Sequence, residues 1–80
     1  MKEYIATFHT HLSALMTSRA LTGLGVKAQM MPVPRKLSSS CGTCVYYLAE
    51  SPNLSAMDED VEAVYEKTGK EEYTLLMTTE

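Results

Sequence analysis

Glycine and proline residues divide this 80-residue sequence into short segments, and their positions constrain the fold more than any other feature. Gly23 and Gly25 follow a stretch with helical periodicity, and Pro32 and Pro34 follow a stretch that alternates like a strand. Glycine commonly ends a helix, and proline ends a central strand because it donates no backbone hydrogen bond. The first half of the chain is therefore predicted to contain a helix that ends near Gly23 and a strand that ends at Pro32.

Three secondary-structure elements are predicted in this first half. Residues 4–8 are rich in β-forming side chains and predict the first strand. Thr10 is a suitable N-cap for the helix that follows. Residues 26–31 alternate in polarity, which predicts a strand with one buried face. The apolar stripe of the helix is expected to consist of Leu12, Leu15, Met16 and Ala20.

The second half predicts a strand, a second helix and a last strand. Residues 45–48 form the third predicted strand. Ser55 is expected to open a helix that ends at Gly69, because the acidic residues 58–60 suit the positive start of a helix. Residues 73–77 predict the last strand. The apolar side of the second helix is expected to consist of Met57, Val61, Val64 and Thr68.

The order β-α-β-β-α-β is typical of the ferredoxin-like fold, an α+β arrangement in which a four-stranded antiparallel sheet carries two helices on one face. A chain of this length forms one domain, so we expect a single domain over 1–80 with its core in 4–77. The other sheet face is then open, and because such faces usually mark interfaces, a homodimer is expected. The open face should include some of Tyr4, Tyr46, Tyr47 and Tyr73.

Charge and hydropathy argue against two classes of partner. The net charge is −3, and the basic residues are scattered apart from Arg35 and Lys36, whereas nucleic acid favours a clustered basic face. No apolar run approaches the roughly 18 residues of a membrane span. The opening MKEYIATF lacks the features of a signal peptide. We therefore expect a cytoplasmic protein without nucleic acid or membrane partners.

The loop over residues 32–44 is the candidate functional segment, since about 12 residues is long for a loop in so small a domain. It contains SSSCGTC, in which Cys41 and Cys44 form a C-x-x-C. In the cytoplasm such a pair is more often reactive or metal-binding than a structural disulfide. Cys41 would attack as a thiolate and Cys44 would resolve the product. The alternative, that both are small half-buried residues at the start of a strand, stays open.

Neighbouring residues of this loop offer the positive charge and the donors that a thiolate needs. Arg35 and Lys36 are expected to approach Cys41 if the loop folds back. Gly42 allows backbone N–H groups to come close to the sulfur or to a bound anion. The hydroxyl donors of this setting are Ser38, Ser39 and Ser40.

His9 and His11 are expected to lie away from the cysteines. They follow the first strand, which we expect to run parallel to the third strand, at whose start the loop lies. About 17 Å of strand would then separate them from Cys41. The four ligands of a closed zinc site are then not available in one chain, and neither a metal nor a cofactor is predicted.

Three segments resemble the putative selenium/sulfur carrier protein-like family, whose members are short bacterial proteins. They are YIATF at 4–8, PVPR at 32–35 and SSSCG at 38–42. The resemblance extends over 4–77, and its most specific part is the P-x-P-R followed by S-S-S-C-G.

The resemblance implies a role in handling selenium or sulfur, with Cys41 as the motif cysteine of the family. Cys41 would accept the atom as a persulfide from a donor such as a cysteine desulfurase and pass it to an acceptor protein. Cys44 matches the family less well, because an apolar residue is common there. The resemblance places Cys41 in a setting of Pro34, Arg35, Ser39, Ser40 and Gly42.

Two other functions stay open beside this carrier hypothesis. In the first, Cys41 and Cys44 cycle between dithiol and disulfide as a thiol–disulfide redox module. In the second, the chain is a non-catalytic binding or regulatory domain that self-associates through its tyrosine face. The sequence does not decide whether the chain is an enzyme.

Overall fold

A computed structural model describes residues 1–79, which form one helix packed on one face of a five-stranded antiparallel sheet. The predicted α+β class is confirmed, but the prediction of two helices and four strands is wrong in detail. In chain order the elements are β1 (Lys2–Phe8), α1 (His11–Gly23), β2 (Lys27–Pro32), β3 (Thr43–Ala49), a 3-10 helix (Leu54–Ala56), β4 (Val61–Gly69) and β5 (Glu72–Thr78).

The strand order is β2-β3-β1-β4-β5, with antiparallel pairing between all neighbours. β1 and β2 are therefore parallel and are joined through α1, as in the first half of the predicted fold. β4 is parallel to β3 with β1 between them, but residues 50–60 make this crossing with a 3-10 helix instead of a full helix. β5 is an additional strand at the edge of the sheet.

The ends of α1 follow the sequence prediction. Thr10 is the N-cap, and its hydroxyl accepts a hydrogen bond from the Ser13 backbone N–H at 3.1 Å. After the helix Gly25 adopts a φ of +81°, a left-handed conformation that favours glycine. These signals act over three or four residues, so the sequence alone was sufficient to find them.

The buried face of α1 differs from the predicted apolar stripe. Leu12 and Met16 are 63% and 51% exposed, and the buried side chains are instead mostly small ones. The sheet supplies the large side chains of this core, since Tyr4, Phe8 and Tyr47 lie beneath the helix. Small helix residues fit against them with little loss of packing density. The buried residues of α1 are Ser13, Ala14, Thr17 and Leu21.

The predicted second helix is wrong, because most of its residues form β4. Val61 and Val64 are buried three residues apart, which imitates helical spacing. Phe8 pairs with Val61 while Thr7 pairs with Ala63, so β4 contains an extra residue at position 62. This β-bulge turns Val61 and Val64 to the same face of the sheet. The spacing that predicted a helix is therefore produced by an interrupted strand.

The sheet face opposite α1 carries no further layer within residues 1–79. Of the four tyrosines of which some were expected there, Tyr4 and Tyr47 are in the core, with ring centroids 5.2 Å apart. Tyr46 alternates with Tyr47 along β3 and lies on the open face, where its hydroxyl donates to Glu3 Oε1 at 2.7 Å. No helix within residues 1–79 is both long and apolar enough to cross a membrane.

Candidate functional site

The candidate site lies where β1 ends and β3 and β4 begin. We call this border of strand ends the sheet edge, as distinct from the outer strands β2 and β5. In an antiparallel pair the end of one strand meets the start of the next, and Thr7 accordingly pairs with Cys44. The His9 backbone N–H donates to the Asp60 carbonyl at 3.0 Å and ties the start of β4 to the same edge. The loop over residues 33–42 closes over this edge from β2 to β3.

Two turns give the loop its shape. The Leu37 backbone N–H donates to the Pro34 carbonyl at 3.0 Å in the outer turn. The Gly42 backbone N–H donates to the Ser39 carbonyl at 3.2 Å in the inner turn. Gly42 has a φ of +73°, which a residue with a side chain adopts only at a cost. The inner turn therefore holds Cys41 at the base of the loop, next to the sheet.

The Cys41 thiol is half-buried and faces two oxygen atoms. Its sulfur lies 3.4 Å from the Thr43 carbonyl oxygen and 3.7 Å from the Ser39 hydroxyl oxygen. The Cys41 thiol donates its single hydrogen to the Thr43 carbonyl, and the Ser39 hydroxyl donates its own to the Phe8 carbonyl at 2.8 Å, so Ser39 does not donate to the sulfur at rest. The arrangement therefore suits a neutral thiol, and Ser39 must rotate its hydroxyl before it can donate to a thiolate.

Beside Cys41, the Glu62 carboxylate collects the donors of Ser40. The Ser40 backbone N–H donates to Oε1 at 2.9 Å, and its hydroxyl donates to Oε2 at 2.8 Å. His9 Nδ1 lies 3.5 Å from Oε2 and 3.5 Å from the Ser40 hydroxyl oxygen. Because the Ser40 hydrogen already points to Glu62, His9 joins this group as a donor when its Nδ1 carries the hydrogen. This is not a serine–histidine–acid relay, since the acid binds the serine directly.

Two opposing effects act on the pKa of Glu62. Partial burial raises it, whereas the two hydrogen bonds from Ser40 and the charge of His9 lower it. The lowering effects prevail, so the pKa lies below that of an ordinary glutamate. Glu62 is the extra residue of the β4 bulge, which is a position often used to aim a side chain at a site.

Cys44 has a different environment from Cys41. It is fully buried in β3, and its thiol donates to the Pro32 carbonyl, with the sulfur 3.8 Å from the oxygen. Burial, followed by the proximity of Cys41, raises the pKa of Cys44 to about 11. The thiol of Cys44 is therefore protonated at neutral pH, and both cysteines are free.

Three of the predicted site residues are exposed and form no hydrogen bond with the Cys41 sulfur in the part of the chain that the structure describes. Arg35 and Lys36 are exposed in the outer turn, and Ser38 is exposed between the two turns. Within residues 1–79 their side chains form no hydrogen bond or ion pair. The Gly42 N–H is already used by the inner turn. The expected cationic and amide donors are thus not directed at the sulfur in this structure.

The expectation that the histidines lie far from the cysteines is wrong. β1 and β3 are antiparallel neighbours, so His9 and His11 are at the same edge as the loop. His11 Nδ1 lies 3.4 Å from the Thr43 hydroxyl oxygen, and His9 contacts Ser40 as described above. Even so, no three His, Cys, Asp or Glu side chains among the 79 described residues are arranged to hold a metal ion.

Sequence reasoning missed Glu62 and His9 as members of the site. Glu62 was assigned to a helix, and its meeting with Ser40 depends on the strand order and on a bulge. No local motif indicates either feature. The available signal is the spacing of Val61 and Val64, which fits a bulged strand as well as a helix.

Comparison with known proteins gives one family and one curated relative. The family model described as putative Se/S carrier protein-like matches residues 3–70, which include every residue of the site. The uncharacterized protein YtiA of Escherichia coli (strain K12) is 33% identical over 46 residues, which cover 58% of this chain and 54% of YtiA. The match thus spans about half the length of that relative. No solved structure matches the chain.

Proposed function

The chain belongs to the putative Se/S carrier protein-like family, and from this premise we propose that Cys41 carries a sulfur or selenium atom as a persulfide or selenopersulfide. The observation that carries the choice of residue is the contrast between the two thiols. Cys41 is half-buried in a loop at the sheet edge, whereas Cys44 is fully buried with a raised pKa. A carrier needs a sulfur that two protein partners can reach in turn.

Loading in this proposal is a transfer between sulfur atoms with no net oxidation. The Cys41 thiolate attacks the terminal sulfur of a donor persulfide, such as that of a cytoplasmic cysteine desulfurase. A new S–S bond forms at Cys41 Sγ, and the S–S bond of the donor breaks. The donor cysteine leaves as a thiolate and takes up the proton that Cys41 released when it ionised. In unloading, a thiolate of the acceptor protein attacks the terminal sulfur on Cys41. The S–S bond at Cys41 breaks, and Cys41 leaves as a thiolate that takes up a proton. Neither step uses Cys44.

Ser39 is the neighbour best placed to assist this cycle. Its hydroxyl oxygen lies 3.7 Å from the Cys41 sulfur and is bonded at rest to the Phe8 carbonyl. Rotation of the hydroxyl turns it into a donor toward an anionic sulfur, and hydrogen bonds to charged groups are the stronger ones. We assign Arg35 and Lys36, exposed in the outer turn, to contact with the donor or acceptor protein.

Mass spectrometry after incubation with a cysteine desulfurase and free cysteine tests the proposal. We expect a mass increase of one sulfur atom on Cys41, reversed by a reductant. Cys44→Ser should load as well as the original protein, and Cys41→Ser should not load. Loss of loading in Cys44→Ser, with the variant folded, would favour the thiol–disulfide module instead. No added sulfur on a Cys41 shown to be free would overturn the carrier proposal.

A self-associating binding domain is the second candidate function, because one sheet face has no layer on it. Leu75 in β5 is 52% exposed there beside its cross-strand partner Tyr65, and the half-buried Tyr46 lies on the same face in β3. Large side chains left exposed together on a sheet face usually mark an interaction surface. This function is compatible with the carrier proposal, since the site lies at the sheet edge.

A further inference from the structure

The Glu62 carboxylate occupies a group of donors that are arranged for a carboxylate. One oxygen accepts from the Ser40 backbone N–H, and the other accepts from the Ser40 hydroxyl and lies 3.5 Å from His9 Nδ1. Two parallel hydrogen bonds to the two oxygens, with a third donor beside them, are typical of carboxylate recognition. Within residues 1–79 no lysine or arginine pairs with Glu62, so these donors alone hold its charge.

This group of donors is open to solvent and adjoins the reactive cysteine. The side chains of Glu62 and His9 are 21% and 48% exposed, so a ligand can reach both of them. Ser40 directly precedes Cys41 in the inner turn. A molecule that brings sulfur to Cys41 therefore meets, at the preceding residue, donors that a carboxylate of the protein already occupies.

Glu62 at rest opposes the proposed loading, because it engages the Ser40 donors that an incoming anion would otherwise receive. These donors become available if the Glu62 side chain rotates away from them. The backbone can stay in place during this change: Glu62 is the extra residue of the bulge, and its carbonyl accepts a hydrogen bond from the Thr79 N–H at 3.1 Å.

We propose that Ser40 and His9 form a carboxylate-binding site, which Glu62 fills in the free protein and from which the carboxylate of a thiol-bearing ligand displaces it. The ligand class is a carboxylate that carries a thiol or persulfide, either a free amino acid or part of a donor protein. The site deepens the proposed function and rests on it, because it gives the incoming sulfur compound a fixed position beside Cys41.

Chemical rescue of Glu62→Ala by acetate tests the binding site itself. The readout is the Ser40 amide signal in an NMR spectrum of ¹⁵N-labelled protein, which should move when the Glu62 carboxylate is removed. Acetate should restore most of that movement saturably, and chloride at the same ionic strength should not. The matched control is Glu59→Ala, since Glu59 is exposed and has no such contacts. An equal response to acetate and chloride would overturn the proposal.

Glu62→Gln serves the same experiment if Glu62→Ala does not fold, because the amide keeps one acceptor but repels one donor. Its Ser40 signal should move part of the way and respond to acetate. Ser40→Ala combined with either variant should abolish the response. A response that survives this change would also overturn the proposal.

A second measurement on the protein with Glu62 intact distinguishes the two sources of the carboxylate. Cysteine should displace Glu62, seen in the signal of its carboxyl carbon, while cysteamine, which lacks the carboxylate, should not. Displacement only by a cysteine peptide with an acidic side chain would assign the ligand to a donor protein. If neither cysteine nor the cysteine peptide displaces Glu62, the proposed exchange of carboxylates is overturned.

These outcomes are separate from those of sulfur loading. Acetate binding does not involve Cys41, and it should persist in a variant that combines Cys41→Ser with Glu62→Ala. Rescue by acetate without sulfur loading of Cys41 would therefore count against the proposed function alone. Sulfur loading without rescue by acetate would count against the binding site alone.

Discussion

Ser40 donates both its backbone N–H and its hydroxyl to the carboxylate of Glu62, a residue 22 positions further along the chain. This contact joins the loop that carries Cys41 to the first residues of β4. It shows that the serines beside Cys41 differ in what they can do. Ser40 is engaged by Glu62, Ser39 is bonded to Phe8 but adjoins the sulfur, and Ser38 is exposed.

The Glu62 contact makes stability depend on pH. Because the pKa of Glu62 is lowered on folding, its contribution is present above the ordinary glutamate value of 4.5 and is lost as the pH falls through the folded value. The melting temperature of Glu62→Gln should therefore lie below that of the original protein at neutral pH, and the difference should shrink in acid. Calorimetry over this range measures it. Glu59→Gln is the control, and a difference that stays constant with pH contradicts the prediction.

The two thiols should differ in reactivity. Cys44 is fully buried, and its pKa of about 11 leaves almost no thiolate at neutral pH. Brief treatment of the native protein with iodoacetamide should add one label, located on Cys41 by peptide mass spectrometry. Treatment in denaturant should add two labels. Equal labelling of both cysteines in the native protein would show that the Cys44 thiol is not buried and protonated as described.

Ser39→Ala should affect both stability and loading. The variant loses the 2.8 Å hydrogen bond to the Phe8 carbonyl, which costs about 0.5–1.5 kcal/mol of unfolding free energy. It also loses the donor available to an anionic sulfur, so loading should slow roughly tenfold. Urea denaturation and timed mass spectrometry measure the two effects. Ser38→Ala, at an exposed position, should change neither, and equal effects at both serines would exclude a specific role for Ser39.

Gly42→Ala should destabilise the inner turn. Gly42 has a φ of +73° and open space around it, so the cost is conformational and amounts to about 1–2 kcal/mol. Gly23→Ala is the matched control, because Gly23 also has open space but lies in α1 without a positive φ. Gly23→Ala should be neutral or stabilising, since alanine favours a helix. Similar losses from both changes in thermal unfolding would refute this explanation.

The open sheet face should mediate self-association. Leu75→Lys places a charge on the exposed part of this face and should shift a dimer to a monomer in sedimentation velocity experiments. Leu24→Lys is the control, because Leu24 is 62% exposed but lies at the end of α1. If the unsubstituted protein already sediments as a monomer, the second candidate function is excluded.

The candidate site was predictable only in its loop. Cys41, Ser39 and Gly42 are neighbours in sequence, so the motif alone brought them together. The sequence does not lead to His9 and Glu62, because its pattern predicts parallel first and third strands and a helix over most of β4, whereas β1 and β3 are antiparallel and β4 is a bulged strand. The role of Arg35 and Lys36 stays a prediction, since both side chains are exposed in the outer turn.

The sequence by itself determined the features that depend on contacts between near neighbours: the Thr10 cap of α1, the stop at Pro32 and the long cysteine loop. Only the tertiary structure decided which face of α1 is buried and how Glu62 meets Ser40. Those features depend on strand pairing between distant segments, where a shift of one residue turns every side chain to the opposite face. A single bulge in β4 changed the outcome in this chain, and no local signal in the sequence specifies it.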